Sequence, residues 1–258
     1  MQIADRVFAV TGASSGLGRE VARQLVDAGG RVVVVARRAD RLEELAGQLG
    51  AVARAVAADV TTAEAPNRVH DAAVDAFGRI DGLVNAAGRG LSGDVLDVDV
   101  DLVDEAFELN FVAPLRLIQR IVPVLVEQEE GVVVNVSSPT SVMGLPGIGG
   151  YASAKAALNA LTVALRREVA GKGVQVMIAY PGVMDTEYYD HVMGENDPEE
   201  TRPPAQSPSL VARAIVEGIL RNKREVWALT PRESRALRMM RVLGTVAPGA
   251  VERGLARR

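Results

Sequence analysis

The sequence predicts a doubly wound α/β fold: a seven-stranded parallel sheet with helices on both faces, in three layers. Three observations carry that expectation. Short β-rich runs alternate with helical patterns through most of the 258 residues, and right-handed crossovers between parallel strands place helices on both faces. The run Val32-Val33-Val34-Val35-Ala36 is apolar throughout, as a strand covered on both faces must be. A glycine-rich turn joins the first β-rich run to the first helical pattern.

Taken in order, Val7-Phe8-Ala9-Val10 forms the first strand. After the turn, Leu17, Val21, Ala22 and Leu25 fall on one side of a helix, which Gly29-Gly30 ends. The Val32–Ala36 strand follows, then a helix with Leu42, Leu45, Ala46 and Leu49 on one face. Further strands are expected at Ala53–Ala57, Gly82–Asn85, Val132–Val136, Val174–Ala179 and Val226–Leu229, and long helices at 101–127 and 151–171. With no internal repeat and no Gly/Ser linker, residues 1–230 read as one domain. Two stretches break the alternation. Residues 187–206 are polar and proline-rich (Glu195-Asn196-Asp197-Pro198, then Arg202-Pro203-Pro204) and read as a lid loop. Residues 231–258 are a basic extension in which Arg232, Arg235, Arg238 and Arg241 recur every three residues beside Leu237, Met240 and Leu243. A helical tail packing on the domain or on a partner chain is preferred over one lying on an anionic membrane surface.

Composition narrows the function. An apolar fraction of 48% supports a sizeable core, and a formal charge of −4 gives no reason to expect nucleic acid. With no cysteine, disulfides, thiolate catalysis and cysteine-bound metals are excluded. His70 and His191 lack the spacing of a metal site or a triad, so no metal is expected. No uninterrupted apolar run reaches the length of a membrane span and no secretory pattern opens the chain, so a soluble, cytoplasmic protein is expected.

The turn Thr11-Gly12-Ala13-Ser14-Ser15-Gly16-Leu17-Gly18 follows a strand and opens a helix. Glycines there let the backbone approach a pyrophosphate, and the helix start offers free N–H groups to it. The arrangement predicts a Rossmann-type dinucleotide site made by Gly12, Ser14, Ser15, Gly16, Leu17 and Gly18. The second strand ends in Ala36-Arg37-Arg38, with no carboxylate before Asp40. An acidic residue at that point would select NAD, whereas a guanidinium matches a 2′-phosphate. NADP(H) is therefore favoured, with Arg37 as the main contact and Arg38 or Ser14 assisting, and NAD(H) as the alternative. At the other end of the chemistry, Tyr151 precedes Lys155 by four positions, which puts both on one helical face. An ammonium near a phenol favours the phenolate and lets it exchange protons nearer neutral pH. Ser138 lies thirteen residues before Tyr151.

Together these residues resemble the short-chain dehydrogenase/reductase family over about 1–230. Thr11-Gly12-x-x-x-Gly16-x-Gly18 is similar to its cofactor turn, and Asp59-Val60 to its adenine-contacting pair. Asn85-Ala86-Ala87-Gly88 is similar to its Asn-Asn-Ala-Gly motif, with Ala86 in place of the second asparagine. Pro181-Gly182-Val183 and Thr186 match its nicotinamide-contacting segment, and Asn110, Ser138, Tyr151 and Lys155 its catalytic tetrad. The resemblance implies an oxidoreductase that interconverts a ketone or aldehyde and an alcohol. Tyr151 would be its general acid/base and Ser138 would steady the substrate oxygen. Lys155 would bond the nicotinamide ribose and acidify Tyr151, and Asn110 would hold a water that refills the proton. It also implies a homodimer or homotetramer. Aldehyde/ketone, hydroxysteroid, sugar or polyol, and 3-oxoacyl-carrier-protein substrates all fit such a family. The acidic run Glu127-Gln128-Glu129-Glu130 argues against an acidic carrier protein. Val142, Met143, Leu145, Met184 and Tyr188, with Met193 and Tyr189, suggest an apolar cleft. A non-catalytic nucleotide sensor or scaffold is disfavoured because all four tetrad residues are present.

Overall fold

The computed structural model of the protein describes residues 1–194, 205–235, 237 and 239. Among the described residues nine strands occur in chain order: β1 (Val7–Thr11), β2 (Arg31–Ala36), β3 (Ala53–Ala57), β4 (Gly82–Asn85), β5 (Leu91–Ser92), β6 (Gly131–Val136), β7 (Val174–Pro181), β8 (Met193–Gly194) and β9 (Glu225–Ala228). Seven of them form one parallel sheet in the order β3-β2-β1-β4-β6-β7-β9. Chain direction across the sheet reverses between β1 and β4. A crevice opens at the carboxyl ends of the strands at such a switch point.

The helices are α1 (Gly16–Asp27), α2 (Ala39–Leu49), α3 (Ala65–Phe77), α4 (Val100–Phe107), α5 (Ala113–Glu127), α6 (Gly149–Glu168) and α7 (Pro208–Leu220). The apolar β2 run serves two cores at once, because successive side chains point to opposite faces. Val32 and Val34 pack with Leu17, Val21 and Leu25 of α1, Leu42 and Leu45 of α2, and Ile215 of α7. Val33 and Val35 pack with Val69 of α3, Leu117, Ile121 and Leu125 of α5, and Leu165 of α6. Burying each such leucine contributes about 1.5–3 kcal/mol, so both faces of the sheet must be covered.

Several boundaries differ from the sequence-based expectation. The helix expected over 101–127 is interrupted by a π-helical turn, Glu108–Val112, between α4 and α5. Such bulges recur at functional sites, and this one contains Asn110. The helical stretch from Val100 to Glu127 is long and apolar enough to cross a membrane, yet Leu117, Ile121 and Leu125 are buried against the sheet. Helix α7 was not expected, although Ser207 accepts the Ser209 N–H as its cap and Pro208 opens its first turn. Nor was the β5–β8 pair, because two-residue strands carry no periodicity.

The acidic run Glu127–Glu130 lies where α5 turns into the start of β6, at the amino edge of the sheet. The crevice is at the opposite edge, so this run does not argue about a carrier protein. Only 187–194 and 205–206 of the expected lid are described, and they are tied down. Met193 pairs with Leu91, Arg89 donates to the His191 carbonyl at 2.7 Å, and Asp185 and Gln206 exchange backbone bonds with the other side of the loop. Of the expected basic stripe, Arg238, Met240, Arg241 and Leu243 lie outside the described residues. Arg232 and Arg235 are exposed, and Leu237 is buried.

Candidate active site

A cavity of about 1600 Å³ runs along the carboxyl edge of the sheet, lined by the loops that follow β1, β2, β3, β4, β6 and β7. It exceeds the volume of a typical small-ligand pocket, roughly 300–1,000 Å³. At one end the glycine turn is forced by contact. Gly12 has φ +69°, and a Cβ on it would lie 2.9 Å from the Ala87 Cα; a Cβ on Gly18 would lie 2.5 Å from the Gly12 carbonyl oxygen. Thr11 locks this turn to the next loop, its hydroxyl oxygen accepting the Ala86 and Ala87 N–H groups at 3.0 Å each. The α1 start has no side-chain cap from Ser15, which leaves first-turn N–H groups for an anionic ligand. A side-chain-free cradle facing those donors fits the pyrophosphate of a dinucleotide.

The two arginines after β2 behave differently. Arg37 is exposed and acts on Asp59 through its charge. Arg38 folds back onto the turn, donating to Ser14 Oγ at 3.0 Å and Ser15 Oγ at 2.8 Å. Its other side donates to Glu187 at 2.9 Å, and Arg41 donates to both Glu187 oxygens at 2.6 and 2.8 Å. Hydrogen bonds from Arg41 and Arg38 hold the Glu187 carboxyl down to about 2. Asp59 accepts the Thr61 N–H at 3.0 Å and its hydroxyl at 2.7 Å, and the backbone bond leads in holding it below the usual carboxylate range. Asn85, expected at the cofactor, does not line the cavity. It is buried and donates to Asn135, which donates to Thr162 of α6, at 2.8 Å in each case. That ladder ties β4, β6 and α6 together below the cavity floor.

At the other end, α6 starts at Gly149 and carries Tyr151 and Lys155 into the cavity wall, facing Ser138 at the end of β6. Lys155 is 4% exposed, and its Nζ donates to the Val136 carbonyl at 2.9 Å and lies 5.9 Å from the centre of the Tyr151 ring. Burial pulls its ammonium down to about 8. Burial also pushes the Tyr151 phenol up, against the hydroxyls of Tyr188 and Ser138, which lower it. Desolvation outweighs the hydroxyl contacts on Tyr151, and the Lys155 ammonium is turned toward a backbone carbonyl. Asn110 does not line the cavity directly. Its amide nitrogen donates to the Arg89 and Ala106 carbonyls, at 3.0 and 2.9 Å, while its buried Oδ1 has no hydrogen-bond partner among the described residues. Gly88 brings that oxygen near the ammonium, for a Cβ there would meet Asn110 Oδ1 at 2.8 Å and Lys155 Nζ at 3.3 Å.

Met143, Leu145, Met184, Tyr188, Tyr189 and Met193 line the cavity, whereas Val142, 50% exposed, does not. The Tyr188 ring stands edge-on to Tyr151 with centroids 6.4 Å apart; its buried hydroxyl meets no partner in good hydrogen-bond geometry among the described residues, yet lies close enough to the Tyr151 hydroxyl to lower it. Asp101, Asp104, Glu105 and Glu108 make another wall acidic.

Three residues of the site, Arg41, Glu187 and Glu233, were not expected from the sequence. Arg41 and Glu187 are 146 residues apart, and no local signal links them. Glu233 had one. Thr230-Pro231-Arg232-Glu233 is a capping box: Glu233 accepts the Thr230 N–H at 2.7 Å, and Thr230 Oγ1 accepts the Glu233 N–H at 3.2 Å. The other Glu233 oxygen accepts the Val183 N–H at 2.7 Å, docking the start of the C-terminal extension against Gly182. Pro181, Gly182, Val183 and Thr186 all line the cavity there.

The short chain dehydrogenase family profile matches residues 6–196. An uncharacterized oxidoreductase of Staphylococcus epidermidis is 36% identical over 185 residues, covering 72% of this chain and 80% of that protein. A short-chain dehydrogenase structure from Streptomyces avermitilis superposes with a TM-score of 0.84 at 29% identity, over 98% of this chain and 97% of that one. A 3-ketoacyl-(acyl-carrier-protein) reductase from Brucella melitensis, complexed with NADH, superposes at 0.80 with 25% identity, over 88% and 97%. With a profile match across most of its length and a relative above 30% identity, the chain belongs to the short-chain dehydrogenase family of oxidoreductases, on a nucleotide-binding Rossmann fold.

Proposed function

We propose that this protein reduces a neutral, largely apolar ketone or aldehyde to an alcohol with NADP(H), Tyr151 acting as the proton donor. The observation that carries this reading is the convergence of Tyr151, Ser138 and Lys155 on the cavity that also holds the glycine turn. When bound, the nicotinamide group supplies the hydride. The turn of Gly12, Ser14, Ser15, Gly16, Leu17 and Gly18 would hold its pyrophosphate, Asp59 and Val60 the adenine side, and Ala86, Ala87, Gly88, Pro181, Gly182, Val183 and Thr186 the nicotinamide side. Ser138 donates a hydrogen bond to the substrate oxygen and steadies its charge. Tyr151 gives that oxygen its proton. Burial keeps the phenol protonated at neutral pH, which suits reduction. Lys155 would bond the ribose, and the Asn110 Oδ1 beside it, without a partner among the described residues, would support a water that returns a proton to Tyr151.

For the 2′-phosphate, Arg38 takes the leading place over Arg37, because it already bonds the serines of the turn. NAD(H) is the alternative, and the Brucella relative was found with NADH. The acidic wall of Asp101, Asp104, Glu105 and Glu108 disfavours an acidic carrier protein as substrate. A cytoplasmic homo-oligomer belongs to the same reading.

The test is Tyr151→Phe, which removes one hydroxyl and keeps the ring. Carbonyl reduction should fall by about 10²–10⁴-fold while the NADPH dissociation constant, measured by fluorescence titration, stays put. Turnover near the wild-type rate would remove Tyr151 from the chemistry.

A further inference from the structure

We propose that Glu187 is an internal anion that competes with a cofactor 2′-phosphate for Arg38 and, once displaced, loosens the loop that carries it. The inference rests on the NADP(H) reading above and names a specificity residue that reading does not contain. Glu187 belongs to the loop after β7, yet it crosses to the far side of the cavity and occupies the guanidiniums of Arg38 and Arg41. Arg38 is thereby shared between two sites, with Ser14 and Ser15 on one side and a carboxylate on the other. Arg41 makes a two-pronged contact with that same carboxylate.

An incoming phosphate monoester has more charge and more acceptor oxygens than a carboxylate, and it matches the same guanidinium fork. The side chains of Arg38, Arg41 and Glu187 are 35%, 37% and 39% exposed. Ion pairs this open to solvent are weak, so the exchange is reversible. The carboxyl, held to about 2 by its two arginines, stays ionised at any working pH. A cofactor without the 2′-phosphate leaves the pair closed.

The neighbours of Glu187 give the exchange a consequence. Thr186 packs over the turn, its Cγ2 3.1 Å from where a Cβ on Gly16 would stand. Tyr188 rests edge-on against Tyr151. Freeing Glu187 therefore loosens a segment that touches both the cofactor turn and the phenol.

The experiment compares the full-length wild type with Glu187→Gln. Calorimetry gives dissociation constants for 2′-AMP, 5′-AMP, NADPH and NADH. Hydrogen exchange follows amides 186–194 with and without 2′-AMP. Glu187→Gln should tighten 2′-AMP and NADPH by about threefold to fivefold and leave 5′-AMP and NADH unchanged. In wild type, 2′-AMP should speed exchange in 186–194 and 5′-AMP should not. If NADPH is preferred but Glu187→Gln leaves it unchanged, or weakens both dinucleotides equally, the competition does not exist. A wild type that binds 2′-AMP no more tightly than 5′-AMP overturns the NADP(H) reading, and this inference with it.

Discussion

The two ends of the cavity control charge by opposite means. At the turn end, partners do it: Glu187 is 39% exposed, and two guanidiniums hold its carboxyl at about 2. At the phenol end, removal of water does it: Lys155 is 4% exposed and its ammonium falls to about 8, while the Tyr151 phenol rises. Screened ion pairs are cheap to exchange, which suits a place that must recognise a charged ligand and release it. Desolvated groups are costly to charge, which suits a place that must keep a proton ready until a reaction takes it. The same 27.3 kDa chain thus sets charge by ion pairing at one end of the cavity and by desolvation at the other.

The largest test of that contrast is stability against pH. Lys155 has a folded value below its unfolded one, so between pH 8 and about 10 the unfolded chain binds more protons. The Lys155 contribution to stability then rises with pH across that window, opposed toward pH 10 by the raised tyrosines. The rise should be on the order of 2–3 kcal/mol, and Lys155→Met should lack it. Urea unfolding of both proteins at pH 7, 8, 9 and 10 reads the difference. Parallel curves would mean that the ammonium is not paying for its burial.

Next in size is the arginine pair. Arg38→Gln should weaken NADPH binding by about tenfold or more, and Arg37→Gln by less than about threefold. A larger effect at Arg37 would restore the assignment that the strand-end position alone suggests. The smallest effect is expected at Tyr188. Tyr188→Phe removes one of the two hydroxyls that lower the Tyr151 value. The acid limb of alcohol oxidation, where the phenolate takes up its proton, should therefore move to higher pH, with reduction at neutral pH changed only a few-fold. An unmoved pH profile would limit Tyr188 to packing.

How far these features could be read in advance follows from the range of the forces behind them. The seven sheet strands were legible because each is a local run of apolar residues, and Ala53–Ala57 and Gly82–Asn85 have the expected bounds. Their ends were less so: Pro181 extends β7, and the π turn at Asn110 splits a helix whose hydrophobic pattern runs straight through it. Ser207-Pro208 and Thr230-x-x-Glu233 were local signals that went unused. Asn85 was misplaced because a motif position does not say which way an amide faces; here it faces Asn135. Val142 and the Glu127–Glu130 run were misjudged because composition does not say at which edge of a sheet a residue emerges.

By itself, the sequence determined the parallel sheet, the glycine turn and the shared helical face of Tyr151 and Lys155, since periodicity and i,i+4 spacing act within a few residues. Only the tertiary structure decided that Arg38 and Arg41 meet Glu187, that Glu233 meets Val183, and that burial sets the ionisation of Lys155 and Tyr151. Partner choice between residues 50 to 149 positions apart, and the dielectric around a charge, are properties of the packed molecule, and no window of neighbouring residues contains them.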